Sequence, residues 1–189
     1  TSLSFPRICE EPFRVFFPFG STLGILGVPL WLIYYLGPPI PYPNITHARL
    51  MIEGLMASFV FGFLGTAGPR LTSTSHFSAT EVAIIFTLDL LAAGAHTGGA
   101  HRLGDILFLV CLLLFARTLL QRVRQRKDSP PPNFDLVAFG LLNGIASAAL
   151  VPWFVDAQLS RTYQFGRSLL TLCFVLLPIA GGAAFFLGG

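Results

Sequence analysis

The segment Leu103–Leu120, LGDILFLVCLLLFARTLL, decides the fold class. It approaches the roughly 20 apolar residues that a helix needs to cross the hydrocarbon core of a membrane. Buried strands of soluble proteins are usually about 4–8 residues long, so a strand does not explain a run of this length. We therefore interpret the segment as a transmembrane helix.

The composition of the whole chain also indicates that the protein lies in a membrane. Of 189 residues, 53% are hydrophobic and 11% are charged, whereas a typical soluble domain has about 25% charged residues. Because lipid-facing backbone must be hydrogen-bonded within its own segment, helices are expected. The sequence predicts an all-α integral membrane protein, a polytopic bundle of about six transmembrane helices in a single domain over residues 1–189. The predicted spans are Phe16–Leu36, Ala48–Gly68, Thr80–Gly99, Leu103–Leu120, Phe134–Val155 and Thr162–Leu187.

The basic residues predict how the bundle is oriented. An arrangement with both termini on the cytoplasmic side gives that side more arginine and lysine than the outer side, as the positive-inside rule requires. The densest basic cluster, Arg122 to Lys127, follows the fourth span and is interpreted as an anchor to anionic lipid head groups. No nucleic-acid recognition fold accompanies it. We expect a multi-pass protein of the bacterial inner membrane whose partners are lipids and other membrane subunits, with no nucleic acid.

Small residues recur at helical spacing in three of the spans. Helices in lipid associate through close contact at small residues, because there is little hydrophobic drive between them. The pattern predicts that these stripes lie at helix–helix contacts. The residues are Gly20, Gly24 and Gly27 in the first helix, Gly54, Ser58, Gly62 and Gly65 in the second, and Gly140, Gly144 and Ser147 in the fifth. Asn143, beside the last stripe, is expected to bond to another helix.

Three histidines fall at the outer ends of the second and third spans. His47, His96 and His101 are predicted to gather there, while His76 lies on the cytoplasmic side. Imidazole is the commonest metal ligand and can hold haem iron or copper. Met51, one turn beyond His47, adds a thioether that is a soft ligand. The alternative is that interfacial histidines need no ligand, and that Met51 only fills a gap in the core.

Charged residues within the spans are candidates for function unless a partner explains them. Arg49 and Glu53 are four residues apart on one helix, which predicts an ion pair. Asp89 lies in the middle of the third span, on a stripe that ends at His96. Asp89 either belongs to a row of polar residues that relays protons or bonds a buried cofactor, or it makes a hydrogen bond between helices.

Four segments lie mainly within residues 12–72: PFRVFF (12–17), GVPLW (27–31), HARLMIEG (47–54) and GFLGTAGPRLT (62–72). In this order and spacing they resemble the N-terminal part of the NnrS family. NnrS proteins are bacterial inner-membrane proteins associated with haem and copper and with denitrification or nitric-oxide stress, and they are usually longer. The resemblance implies a polytopic fold, haem b or copper as cofactor, and a role in nitric-oxide or redox metabolism.

The chain departs from the family at one motif. The family typically has His-x-His-Glu-Met-x-x-Gly there, and this chain matches it at His47, Met51 and Gly54. Arg49 replaces the second histidine and Leu50 replaces the acid. An arginine cannot ligate iron or copper, because its guanidinium stays protonated.

Three functions follow as hypotheses. The first is a haem- or copper-binding protein that uses His47, His96, His101 and Met51, with His47 and His96 as the metal ligands. The second is a cofactor-free accessory subunit packed against a larger membrane complex. The third is a small transporter that uses Asp89, for which no inverted repeat is evident. No nucleophile–base pair or paired catalytic carboxylates can be placed from the sequence, so we propose no enzymatic reaction. We expect either that the chain continues beyond residue 189 or that it is a half-length relative held by a partner subunit.

Overall fold

The computed structural model describes residues 8–127, 134–158 and 160–187, and this part of the chain contains helices and no strands. Six of its helices are long and apolar enough to cross a membrane, as predicted from the sequence. We number them α1 to α6. Their bounds are α1 Phe13–Leu36, α2 Asn44–Leu71, α3 Ala79–Thr97, α4 His101–Arg124, α5 Phe134–Trp153 and α6 Arg161–Leu187.

Four of these helices contain irregular segments. α1 is interrupted after Phe13–Gly27 and resumes as Leu30–Leu36, with Pro29 at the start of the second piece. α5 ends in a 3₁₀ turn, Val151–Trp153. α2 and α6 each contain a π-helix, Leu50–Met56 and Leu169–Val175. A π-helix has a wider turn than an α-helix and is often found at functional sites.

The connections between helices explain where the spans begin and end. Pro43 precedes the first residue of α2, because proline suits a helix start but not a helix interior. Ser78 and Glu81 form a reciprocal capping box at the start of α3. A turn of only three residues joins α3 to α4, and Gly99 in it has a φ of +80°, which favours glycine. α3 and α4 therefore form a tight antiparallel hairpin.

The small residues of α1 and α2 face each other across a close contact. A Cβ atom on Gly20 would lie 2.8 Å from the Cβ of Ser58, and one on Gly54 would lie 2.7 Å from Leu23 Cδ1. A Cβ on Gly27 would lie 2.5 Å from Met51 Cε. The close approach of these two helices therefore depends on the missing side chains.

A second contact of the same kind joins α5 to α6. Added Cβ atoms on Gly140 and Gly144 would collide with Pro178 and Phe174, respectively. The hydroxyl of Ser147 donates a hydrogen bond to the Gly166 carbonyl. Asn143 differs from the expectation, because its amide donates to the Phe139 carbonyl of its own helix, at 2.8 Å. The expectation of a bond to another helix is therefore wrong, and Asn143 is half-buried on α5.

One residue of the basic cluster, Arg122, is placed differently from the interpretation as a lipid anchor, whereas Arg124, Arg126 and Lys127 are exposed. α4 continues to Arg124, so Arg122 lies on the helix and is only 7% exposed. Its guanidinium bonds both carboxylate oxygens of Glu81, at 2.6 and 2.8 Å, and lies over the Phe77 ring. Arg122 therefore ties α4 to the start of α3, because a bidentate pair with Glu81 satisfies its charge inside the protein.

Candidate functional site

The site lies at the end of the bundle where α2, α4 and α6 begin and α3 and α5 end. Hydrogen bonds hold these ends together: Asn44 donates to Gln158, and Thr46 donates to the His96 carbonyl. Arg102 donates to the Pro152 carbonyl, at 3.2 Å. We call this the histidine end, because His47, His96 and His101 all lie there.

A buried cluster of four ionisable side chains occupies the centre of this end. Arg49 Nε lies 3.2 Å from Glu53 Oε1 and 2.7 Å from Asp105 Oδ1, and Nη2 donates to Asp105 Oδ2 at 3.3 Å. His96 Nε2 lies 3.2 Å from Glu53 Oε2 and 3.9 Å from Asp105 Oδ1. The four side chains are between 0% and 4% exposed. We call them the ion cluster.

Three helices supply the members of the ion cluster. Arg49 ends the first α-helical segment of α2, and Glu53 lies in the π-helix that follows it. His96 lies in the last turn of α3, and Asp105 lies one turn into α4. Because the hairpin turn between α3 and α4 is short, His96 and Asp105 are brought to the same level of the bundle.

The His96 ring fits against a position without a side chain. A Cβ on Gly104 would lie 2.6 Å from His96 Nε2, so only glycine leaves room for the ring. The His101 ring stacks on the other histidine, with centroids 5.9 Å apart and planes 21° apart. Both Nδ1 atoms are buried, and within the described part of the chain neither has a hydrogen-bond partner. A cavity of about 400 Å³ adjoins His101 and is lined also by Gly99, Arg102 and Asp156.

Asp89 is buried two helical turns from His96. Its Oδ2 accepts a hydrogen bond from Ser58 on α2, at 2.9 Å. This contact corresponds to one of the two interpretations of Asp89, the hydrogen bond between helices. This bond lies on the α2–α3 contact, on the same side of α2 as Glu53.

His47 lies at the histidine end but outside the ion cluster. Its Nδ1 is 3.0 Å from the Gly27 carbonyl oxygen, and its ring meets the Trp31 ring edge-on at 5.9 Å. A carbonyl can only accept, so Nδ1 donates the hydrogen bond, and in the neutral imidazole the lone pair is then on Nε2. Metal-binding histidines are commonly held by such a bond from the second ring nitrogen.

The structure therefore divides the predicted site residues into two groups. His96 and His101 are together, and His96 is joined by Arg49 and Glu53. His47 pairs with α1 instead. Met51 packs with Leu23, Leu50 and Ala93. It is thus placed as a packing residue, the alternative given for it above.

The sequence reasoning did not single out two residues of the site. Asp105 is the closest partner of Arg49, and the ring of Tyr163 on α6 lies 5.9 Å from the Arg49 guanidinium carbon. The available signal for Asp105 was a lone carboxylate in an apolar helix, one turn after His101. Tyr163 gave no such signal, because tyrosine is common at membrane interfaces.

Three ligand atoms of the ion cluster lie close enough together to hold a metal ion. Glu53, His96 and Asp105 each offer one ligand atom, and the three atoms lie within 4.8 Å of one another. Arg49, however, already lies between the two carboxylates. Haem does not fit at His96, because its ring is 1% exposed and Nε2 faces Glu53. His47 fits a metal group better, because its ring is only half-buried and its Nε2 is free to ligate.

Fold and site together define a polytopic helical membrane protein with a buried cluster of ionisable side chains inside one end of the bundle. A family model described as NnrS protein matches residues 7–184, and this chain therefore belongs to the NnrS family. The match covers most of the chain and extends well beyond the segments within residues 12–72. No curated protein and no solved structure matches the chain significantly.

Proposed function

We propose that this chain binds haem or copper at the histidine end, with His47 as a ligand, and acts in nitric-oxide or redox metabolism in the bacterial inner membrane. The observation that carries the proposal is the bond from His47 Nδ1 to the Gly27 carbonyl. It fixes the ring and makes Nε2 the ligating atom. Membership of the NnrS family supports the choice of haem or copper.

The residues around His47 suit such a group. Trp31 packs against the imidazole and also meets Tyr42 edge-on at 5.4 Å. Tyr42 is exposed, so the aromatic surface beside His47 is open to a planar ligand. A bound haem or copper would supply electron transfer or nitric-oxide binding. The chain's own part is to hold the imidazole in one tautomer and to limit the access of water.

The test is optical and elemental. The full chain is purified in mild detergent from cells supplied with haem precursor and copper, and its absorption spectrum and metal content are measured. We expect a Soret band with a reduced-minus-oxidised haem signal, or copper bound to the chain. His47→Ala should lose this signal, whereas His76→Ala, at an exposed loop position, should keep it. Protein that carries neither haem nor copper, or a His47→Ala variant with an unchanged signal, would refute the proposal.

A second candidate is a cofactor-free accessory subunit of a larger membrane complex. The observation that favours it is the second piece of α1, Leu30–Leu36, which has no buried residue. Such a segment is free to pack against another membrane protein. Stoichiometric co-purification with a partner, and loss of the chain when that partner is absent, would support this function. Isolation of the chain alone as a monomer would contradict it.

A further inference from the structure

Glu53, His96 and Asp105 form a donor set that suits a small divalent cation. Two carboxylate oxygens and one imidazole nitrogen are ligands used by zinc, manganese and iron(II). Their ligand atoms lie within 4.8 Å of one another and come from three different helices. A metal ion there would bridge α2, α3 and α4.

Arg49 already places a cation at this position. Its Nε lies 2.7 Å from Asp105 Oδ1 and 3.2 Å from Glu53 Oε1. A metal ion bound to Asp105 Oδ1 at the usual distance of about 2.0–2.2 Å would lie within about 5 Å of that nitrogen. Two cations would then share one buried space.

The charges show why only one cation can be present. When both carboxylates are ionised they carry two negative charges, and a divalent ion would neutralise them alone. With Arg49 still in place, the buried group would have an excess positive charge, which is costly away from water. Nothing in the cluster can remove that charge, because a guanidinium does not deprotonate in proteins.

Arg49 makes one hydrogen bond within the ion cluster, from Nη2 to Asp105 Oδ2 at 3.3 Å, and its other contacts with the carboxylates are ion pairs. Its side chain is 0% exposed, yet Nε and Nη1 have no hydrogen-bond partner among the residues that the structure describes, so the N–H group of Nε does not point at the nearby carboxylates. The guanidinium is therefore held mainly by its short distances to the two carboxylates and less by directed hydrogen bonds. The Tyr163 ring lies 5.9 Å from its central carbon.

We infer that Arg49 is the resident cation of a three-ligand site, that its guanidinium keeps Glu53, His96 and Asp105 free of divalent metal in the native chain, and that its removal opens a divalent cation site. Metal binding by the native chain is then confined to positions outside the ion cluster. The inference stands independently of the function proposed for His47.

The test uses the full chain in detergent, with His47→Ala in every variant so that no metal at His47 contributes. Chains stripped with a chelator are given Zn²⁺, desalted, and analysed for zinc per chain and for thermal unfolding. We expect no retained zinc when Arg49 is present. Arg49→Ala should retain about one zinc per chain, bind it at least roughly tenfold more tightly, and unfold at a higher temperature with zinc.

Two further variants make the result specific. Arg49→Ala combined with Glu53→Gln should lose the zinc again. Arg102→Ala is the matched control, because it removes an arginine that pairs with the exposed Asp156 at the same end of the bundle, and it should gain no zinc. Guanidinium ion should compete with zinc for Arg49→Ala.

Either of two results would overturn the inference. One is stoichiometric zinc in the chain that keeps Arg49, lost on Glu53→Gln. The other is a folded Arg49→Ala chain, by its helical circular dichroism, that takes up no zinc. If Arg49→Ala does not fold without metal, Arg49→Gln is measured instead, and it should take up zinc by the same criterion.

Discussion

His96 fits into the ion cluster because the residue that faces it on α4, Gly104, has no side chain. A Cβ on Gly104 would overlap the imidazole, whose Nε2 is then only 2.6 Å away. A ring that is 1% exposed has no solvent to move into, so any added atom must displace the ring or the helix. The electrostatics of the cluster therefore depend on a steric feature.

Gly104→Ala should destabilise the protein by about 1–3 kcal/mol, because an extra carbon in a packed interior forces side chains or backbone to shift. Gly94→Ala is the matched control, since a Cβ there would meet nothing within 4 Å. It should be neutral or slightly stabilising, as alanine favours a helix more than glycine does. Thermal unfolding of both variants in the same detergent measures the difference. Equal unfolding temperatures would contradict the steric account.

Asp105→Asn should be among the most damaging single changes, at about 3–5 kcal/mol, because it leaves the buried Arg49 without its closest counter-charge. Asp156→Asn also removes a carboxylate paired with an arginine at the histidine end. Its side chain is 86% exposed, so water replaces the lost interaction and little change is expected. The comparison is made by thermal unfolding. A similar loss in both variants would show that burial of the pair is not what matters.

At the scale of elements, the apolar runs were sufficient to predict all six spans, because length and hydropathy are local properties of the sequence. The spacing of Arg49 and Glu53 likewise predicted their pairing. The π-helix Leu50–Met56 could not be predicted, since an extra residue in a turn leaves no mark in hydropathy. Asp105 could not be placed beside Arg49 either, because that contact depends on how α2 and α4 pack. The start of α2 at Asn44 lies before the predicted Ala48, because polar residues continue the helix at the histidine end.

The contact between α1 and α2 gives a prediction at this scale. Gly20→Val should separate the two helices, because even a Cβ at Gly20 would lie 2.8 Å from Ser58 Cβ and 3.0 Å from the Leu55 carbonyl oxygen. The neighbouring Ser21 is exposed, so Ser21→Val serves as the control. Limited proteolysis and thermal unfolding should show a loosened bundle for Gly20→Val alone. A stable, protease-resistant Gly20→Val protein would mean that the stripe is not a packing surface.

At the scale of the whole molecule, the prediction that both termini face the cytoplasm can be tested by labelling. Cys9, Cys111 and Cys173 are first replaced by alanine, and a single cysteine is introduced at Tyr42 or at His76, both of which are exposed. A maleimide that cannot cross membranes should label Tyr42→Cys in intact spheroplasts, and His76→Cys only after lysis. The opposite pattern would invert the bundle and place the histidine end on the cytoplasmic side.

The short hairpin between α3 and α4 has a consequence for biosynthesis. Arg49 is made early, on α2, whereas its closest counter-charge, Asp105, emerges only after both α3 and the Gly99 turn have been synthesised. An arginine in a nascent span enters lipid at a cost of about 2.5–3.5 kcal/mol, and before α4 is made the only ion-cluster carboxylate available to Arg49 is Glu53 on its own helix. α2 should therefore stay beside the translocon until the following pair of helices arrives. α2, α3 and α4 would then enter the bilayer together, with the charge of Arg49 already paired with that of Asp105.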